Sequence, residues 1–363
     1  MKPSWPRRLG RVGPPPGGVR AEPAGFSQVR FIGDEDEQGL ARFYGDLPTR
    51  APTAAPDCLR VLALSGGGAG GAFGAGAMLG LTQSGTRPKF DIVTGVSTGA
   101  LIAPFAFLGS EWDEQLAGAY LGDQTSVILD WTTLRPGAGL YASDPLAGLV
   151  RRYIDAELLA AVAVAHSEGR RLFVATANLD TQRLSIWDMG AIASQGGPEA
   201  LMLFKDVLIA SASMPGLFPP KMISVATEDA VFAEMHVDGG TITPLFVVPE
   251  PLIVRRAQQW AVREVEVYAL VNTTLEPVSA VTPMGVVPIL IRSFELMLRS
   301  TYRNALRSVG AYCEINGFAL HTASIPADFG GINMLRFDHG LLNNMFEHGA
   351  ELARNGRLWT KIR

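Results

Sequence analysis

Gly95-Val-Ser-Thr-Gly99 sets a serine between two glycines, after the short apolar run Phe90-Asp-Ile-Val-Thr94 and before an apolar stretch from Ala100 to Leu108. This spacing fits a nucleophile elbow, a strained strand-to-helix turn whose glycines (Gly95, Gly99) avoid clashes that bulkier residues would make. Such a turn lifts Ser97 Oγ above a sheet at the positive end of the next helix. Some 30 residues earlier, Ser65-Gly-Gly-Gly-Ala-Gly-Gly71 follows the apolar run Val61-Leu-Ala-Leu64. A glycine loop between a strand and a helix presents successive backbone N–H groups to an anion. A dinucleotide site needs an acidic residue at the end of the second strand, whereas Asp91 lies at its start. A P-loop needs Gly-Lys-Ser/Thr, and no lysine occurs between Arg60 and Lys89. What remains is an oxyanion hole framed by Gly66, Gly67, Gly68 and Gly71, with N–H donors for a tetrahedral acyl intermediate. The third element, Asp238-Gly239-Gly240, is in isolation an ordinary aspartate-glycine turn. Beside the other two, it is a bend that aims a carboxylate into a cleft.

The elements that must hold these groups are legible as alternating short apolar runs and longer amphipathic or small-residue stretches. Val61 to Leu64 and Phe90 to Thr94 read as strands buried on both faces, and Arg171 to Ala177 and Val265 to Val271 as further strands. Leu184 to Trp187 and Met235 to Val237 read as further short strands. Helices are expected over Ala72 to Leu81, Ala100 to Leu108, Pro145 to His166, Glu199 to Ala212 and Ile291 to Tyr312. A C-terminal helix is expected over Asp338 to Asn355, with Asp338 as N-cap and Gly356 as its stop. Strands alternating with helices imply a mainly parallel sheet covered on both sides. Residues 1–28, rich in Pro, Gly and Arg, read as a flexible tail. Residues 29–58 read as an arm and linker, with an acidic run at Asp34 to Glu37. A catalytic domain spans 59–251, and 252–363 supplies a strand and helices that complete it.

Composition narrows the function classes. The chain has 363 residues, 47% hydrophobic and 18% charged, with a formal charge of −4, so a basic face for nucleic acid is not expected. Cys58 and Cys313 are too few and too far apart for a disulfide framework or a cysteine metal site. Met1 to Ala24 is broken by prolines, glycines and four arginines, unlike a secretory signal, so a cytoplasmic location is expected. No charge occurs between Arg60 and Arg87, but eight glycines in Val61 to Leu81 argue against a spanning helix.

Together, the glycine loop, the Gly-X-Ser-X-Gly elbow and the later Asp-Gly-Gly resemble the signature of the patatin-like phospholipase family. Ala210-Ser-Ala-Ser-Met-Pro-Gly-Leu-Phe-Pro-Pro220 is similar to the Ala-Ser-x-x-x-Pro stretch ahead of that family's aspartate, which shapes the wall beside the serine. The resemblance covers roughly Leu59 to Pro251 and implies a patatin-like three-layer α/β fold, its mainly parallel central sheet flanked by helices on both faces. It also implies a serine lipid acyl hydrolase working through Ser97 and Asp238 without histidine, cofactor or metal. One departure is Gly70, where the family often carries Arg or Lys. The substrate class implies a lipid acyl ester and peripheral membrane contact; the oligomeric state is not legible.

Three other readings compete. A Ser-Asp-His triad of the α/β-hydrolase type has His321, His339 and His348 available in the right chain order, but only one strand precedes the elbow. A non-catalytic lipid-binding protein has no need of nucleophile, base and oxyanion loop together. A nucleotide-binding protein lacks the lysine and the correctly placed acid. His236, two residues before Asp238, reads as a solvated or packed side chain. Met78, Leu101, Phe105, Met214, Leu217 and Phe218 are candidates for an acyl slot. The basic C-terminal residues Arg354, Arg357, Lys361 and Arg363 are candidates for contact with an anionic surface.

Overall fold

A computed structural model describes residues 13–33 (but for 18 and 20), 58–122, 144–247, 264–329 (but for 278 and 280) and 338–362. The expected linker and acidic run lie outside them. The strands are β1 Glu22–Pro23, β2 Arg30–Ile32, β3 Cys58–Leu64, β4 Ile92–Val96, β5 Arg171–Asn178, β6 Arg183–Asp188, β7 Lys221–Ala226, β8 Val231–Asp238, β9 Glu264–Val271, β10 Ala319–Ser324 and β11 Thr360–Ile362. The helices are α1 Gly71–Gln83, α2 Thr98–Leu108, α3 Asp113–Leu121, α4 Asp144–Tyr153, α5 Ala156–Ser167, α6 Met189–Gln195, α7 Gly197–Ser211, α8 Val286–Asn316 and α9 His339–Arg354.

One sheet runs in the order β1-β7-β8-β5-β4-β3-β9-β10-β11, with β6 pairing β5 and β2 pairing β6. The centre, β5-β4-β3-β9-β10, is parallel. The flanks β8, β7, β6 and β11 join antiparallel. The fold is therefore α/β, a mixed sheet with a mainly parallel core. Because side chains alternate along a strand, β3 sends Leu62 and Leu64 into one apolar core and Val61 and Ala63 into another. The first core is closed by the small-residue helices α1 and α2 together with α5, α7 and α9. The second is closed by α8, through Tyr302, Val309 and Tyr312, and by Leu245 to Val247.

The glycines that argued against a membrane span have a packing role. A Cβ at Gly76 would lie 1.9 Å from the Phe346 carbonyl oxygen and one at Gly80 2.3 Å from that of Ala350, so α1 and α9 touch backbone to backbone. No helix among the described residues is long and apolar enough to cross a membrane.

Several boundaries differ from the sequence reading. The expected single helix over Pro145 to His166 is two, because the Asp155 side chain accepts from the Leu158 N–H at 2.9 Å and starts a new helix. The expected tail does not remain loose through residue 28. Ala21 is buried and Glu22–Pro23 pairs with β7 at the sheet edge, whereas Val29 and Arg30, the latter ion-paired with Glu234, belong to the expected arm. The polar strands β7, β10 and β11 lack the apolar run that announced the central ones. The C-terminal helix is capped by Asp338, which accepts from the Leu341 N–H at 2.8 Å, and Gly356 follows it with φ 66°.

Candidate active site

Ser97 stands where β4 gives way to α2, with φ 56° and ψ −127°, one of three non-glycine residues among those described with positive φ. Such a conformation costs on the order of 1–3 kcal/mol and persists only where its surroundings fix it. Two kinds of contact do so here. A Cβ at Gly99 would lie 2.3 Å from the Leu64 carbonyl oxygen, and one at Gly95 2.7 Å from Ala100 Cα, so the turn closes only with glycine at both places. The Ser97 N–H donates to Ser211 Oγ at 3.0 Å, and Ser211 Oγ in turn donates to the Ala175 carbonyl at 2.8 Å. The serine is 7% exposed.

Asp238 ends β8, whose pairing with β5 places it opposite Thr176. Its N–H donates to the Ser213 carbonyl at 3.0 Å, and the Gly240 N–H donates to its Oδ1 at 2.7 Å. The Ser97 hydroxyl stands close enough to the carboxylate to favour its charged form. Asp238 is 4% exposed, and burial raises its carboxyl from 3.8 to about 7, against the opposing pull of the Ser97 hydroxyl and the Gly240 N–H. The segment Ala210 to Pro220 ties the two residues together. Ser211 holds the backbone of Ser97 and Ser213 that of Asp238, setting the two side chains against each other. Removing the Ser211 hydroxyl leaves a buried N–H unpaired. We expect Ser211→Ala to lose about 1–3 kcal/mol of stability in urea denaturation and about tenfold or more in kcat, because the elbow loses its anchor.

The glycine loop is pinned by a residue that carried no sequence signal. Asn272, immediately after β9, donates its backbone N–H to Ser65 Oγ (2.9 Å) and its Nδ2 to the Ser65 carbonyl (2.7 Å). Its own carbonyl oxygen lies 2.0 Å from where a Cβ at Gly67 or Gly70 would stand. The expected donor set is narrower than four glycines. The Gly66 N–H is spent on the Pro244 carbonyl at 3.1 Å, and the Gly71 N–H on the carbonyls of Gly68 and Ala69. Gly66 and Gly71 therefore frame the loop, and Gly71 also packs on Thr98. The Gly67 and Gly68 N–H groups have no acceptor among the described residues. Gly70 sits against Asn272 with no space for the basic side chain common in related loops.

Tyr302 of α8 is a second residue that sequence reading missed. Its hydroxyl lies 2.9 Å, and Ser97 Oγ 3.6 Å, from the point a Gly66 Cβ would occupy, so both border one small space. Burial and the nearby Asp238 charge push its phenol upward, leaving it an O–H donor. A tyrosine in the middle of a long amphipathic helix looks like any core aromatic until the helix is placed.

The histidines do not join the site. His321 stacks on Tyr268 at 4.5 Å, His339 bonds Asn343, and His348 lies between Phe73 and Phe329. His236 is buried among Thr176, Glu234 and Trp187. Met78 and Phe105 belong to the main core, whereas Met214, Leu217 and Phe218 form a small separate cluster with Leu149 and Tyr153. Among the described residues no group of His, Cys, Asp and Glu could hold a metal ion.

Comparison with curated proteins gives no significant match. Among solved structures, the chain is similar to VipD from Legionella pneumophila, with 12% identity and a TM-score of 0.46 over 85% of this chain and 68% of that one. It is also similar to the type III effector protein ExoU, with 13% identity and a TM-score of 0.33 over 85% of this chain and 55% of that one. The family described as patatin-like phospholipase matches residues 62–248, just over half of the chain. That stretch holds the glycine loop, the Ser97 elbow, the Ser211 to Ser213 clamp and the Asp238 turn, and the chain belongs to the patatin-like phospholipase family, whose members act on lipid esters.

Proposed function

We propose that the protein is a serine lipid acyl hydrolase in which Ser97 is the nucleophile and Asp238 the general base. The observation that carries this reading is a strained, buried serine set against a buried carboxyl group that burial brings to about 7, against the opposing pull of the serine hydroxyl. Ser97 Oγ attacks the acyl carbonyl carbon as its proton passes to Asp238. The Gly67 and Gly68 N–H groups receive the oxyanion. As the intermediate collapses, the ester C–O bond breaks and Asp238 returns the proton to the departing alcohol. Water then attacks the acyl-enzyme, giving its proton to Asp238, and the free acid leaves with Ser97 restored. The cluster of Leu149, Tyr153, Met214, Leu217 and Phe218, the last three of which follow the Ser211 to Ser213 clamp in sequence, offers an apolar wall for the acyl chain.

A carboxylic acid with an ordinary pKa of about 3.9 is a weak base, and one near 7 is matched to proton transfer at neutral pH. Asp238 works only when ionised, so kcat/KM should rise with pH and level off above about 7. The test is hydrolysis of p-nitrophenyl esters of increasing chain length by wild type and Ser97→Ala across this range. We expect Ser97→Ala to be inactive at every pH and the wild-type acid limb to fall near neutrality. A limb near 4 would mean that the group titrating is a carboxylate at its ordinary value and that burial does not tune Asp238.

A further inference from the structure

Helix α8 has two unlike faces. Its inner face places Tyr302, Val309, Tyr312 and Cys313 in the second core. On its outer face Val286, Leu290 and Met297 recur at helical spacing, and Leu290, Leu296 and Met297 are 63%, 68% and 66% exposed. The chain leading into the helix adds Val281 and Met284, both almost fully exposed. A helix on the surface of a soluble protein ordinarily turns polar residues to water at these positions.

Beside the apolar line runs a basic one. Arg292, Arg299 and Arg303 recur at i, i+7 and i+11, and the charges of Arg292 and Arg303 both bear on Arg299. Arg292 has a salt bridge to Glu295 at 3.1 Å, and Arg303 Nε donates to the Leu275 carbonyl at 2.7 Å. Arg307 is exposed further along. Glu295 is the only acidic residue among the first 28 positions of α8, so this face is basic on a chain of net charge −4. An exposed apolar line with an arginine row at its flank matches a helix lying in a membrane interface, where alkyl groups enter the acyl boundary and guanidinium groups meet lipid phosphates. A two-fold contact with a second copy fits less well, because it would bring two arginine rows together with one glutamate each.

We propose that the outer face of α8 docks the protein on an anionic membrane surface, with Leu290, Leu296 and Met297 entering the bilayer and Arg299 with its neighbours meeting the headgroups. The purpose of this contact rests on the hydrolase reading; the contact itself does not. A helix is about 10 Å across, so docking sets Tyr302 and the space it shares with Ser97 roughly one helix thickness from the headgroups. The C-terminal basic residues are less suited to the task, since Arg354 and Arg357 face Glu347 and Glu351.

The experiment is co-sedimentation of the full-length protein with vesicles of phosphatidylcholine alone or mixed with phosphatidylglycerol, alongside light scattering and hydrolysis of a water-soluble short-chain ester. Wild type should bind the mixed vesicles, bind neutral ones weakly, and be released by salt. The double variant L290E/M297E should bind at least about tenfold more weakly, and R299E should lose the preference for anionic lipid. Both should keep wild-type activity on the soluble ester. Wild type that hydrolyses the ester but ignores anionic vesicles would overturn docking and leave the hydrolase reading standing. Binding without hydrolysis of any ester would do the reverse. Equal binding by wild type and L290E/M297E, or a wild-type dimer that those changes split, would also overturn it, the latter by assigning the face to a second copy.

Discussion

Asp238→Asn should lower kcat/KM for a soluble ester by about 10⁴-fold, the scale seen when an active-site aspartate becomes an amide, and should at the same time raise the melting temperature at pH 8. Asparagine keeps an acceptor for the Ser97 hydroxyl and the Gly240 N–H but cannot take a proton. The stability gain follows from burial. Asp238 in the folded protein holds its proton up to about 7, against 3.8 unfolded, so its contribution to stability is complete below about 3.8 and is lost as pH rises to about 7. Above that, the buried charge costs on the order of 4 kcal/mol, from about 1.4 kcal/mol per pH unit. Asparagine carries no such charge, so the difference in melting temperature should be small at pH 4 and large at pH 8. Scanning calorimetry at the two pH values, beside ester kinetics, reads both parts. An active variant would move the base elsewhere, and a variant destabilised equally at both pH values would mean that Asp238 is not carrying a buried charge.

Gly67→Ala should reduce kcat by about 10²–10³-fold, the cost of losing an oxyanion donor, without unfolding the protein. Its Cβ would meet the Asn272 carbonyl at 2.0 Å. That carbonyl cannot withdraw, because Asn272 is tied to Ser65 through both its backbone N–H and its side chain. The loop must therefore yield, carrying the Gly67 and Gly68 N–H groups out of position. Gly148→Ala is the control: nothing lies within 4 Å of its Cβ, and in the interior of α4 alanine should be neutral or stabilising by about 1 kcal/mol. A fully active Gly67→Ala would place the oxyanion away from this loop.

The central strands and the turns between them were legible because burial on both faces writes a continuous apolar run and close backbone approach writes glycine. The sequence therefore pointed to the positions that the fold brings together around Ser97. It did not separate glycines whose N–H groups have no acceptor among the described residues from glycines that merely fit, since Gly66 and Gly71 lose their N–H groups to Pro244, Gly68 and Ala69, contacts set by the tertiary structure. Asn272 and Tyr302 were illegible for a related reason. An asparagine after a strand and a tyrosine in a helix are commonplace, and each gains its place only when β9 pairs with β3 and α8 covers the sheet. The polar strands β7, β10 and β11, towards the two ends of the sheet, carry too few buried side chains to announce themselves. The first turn of α5 was hidden inside one long apolar pattern that Asp155 divides.

The most direct measurement is mass spectrometry of the protein quenched during turnover of a p-nitrophenyl ester, with the peptide spanning Ser97 sequenced. The dyad account predicts one acyl group on Ser97 in wild type, none in Ser97→Ala, and slow accumulation in Asp238→Asn. An acyl group on another residue, or turnover by Ser97→Ala at the wild-type rate, would contradict it.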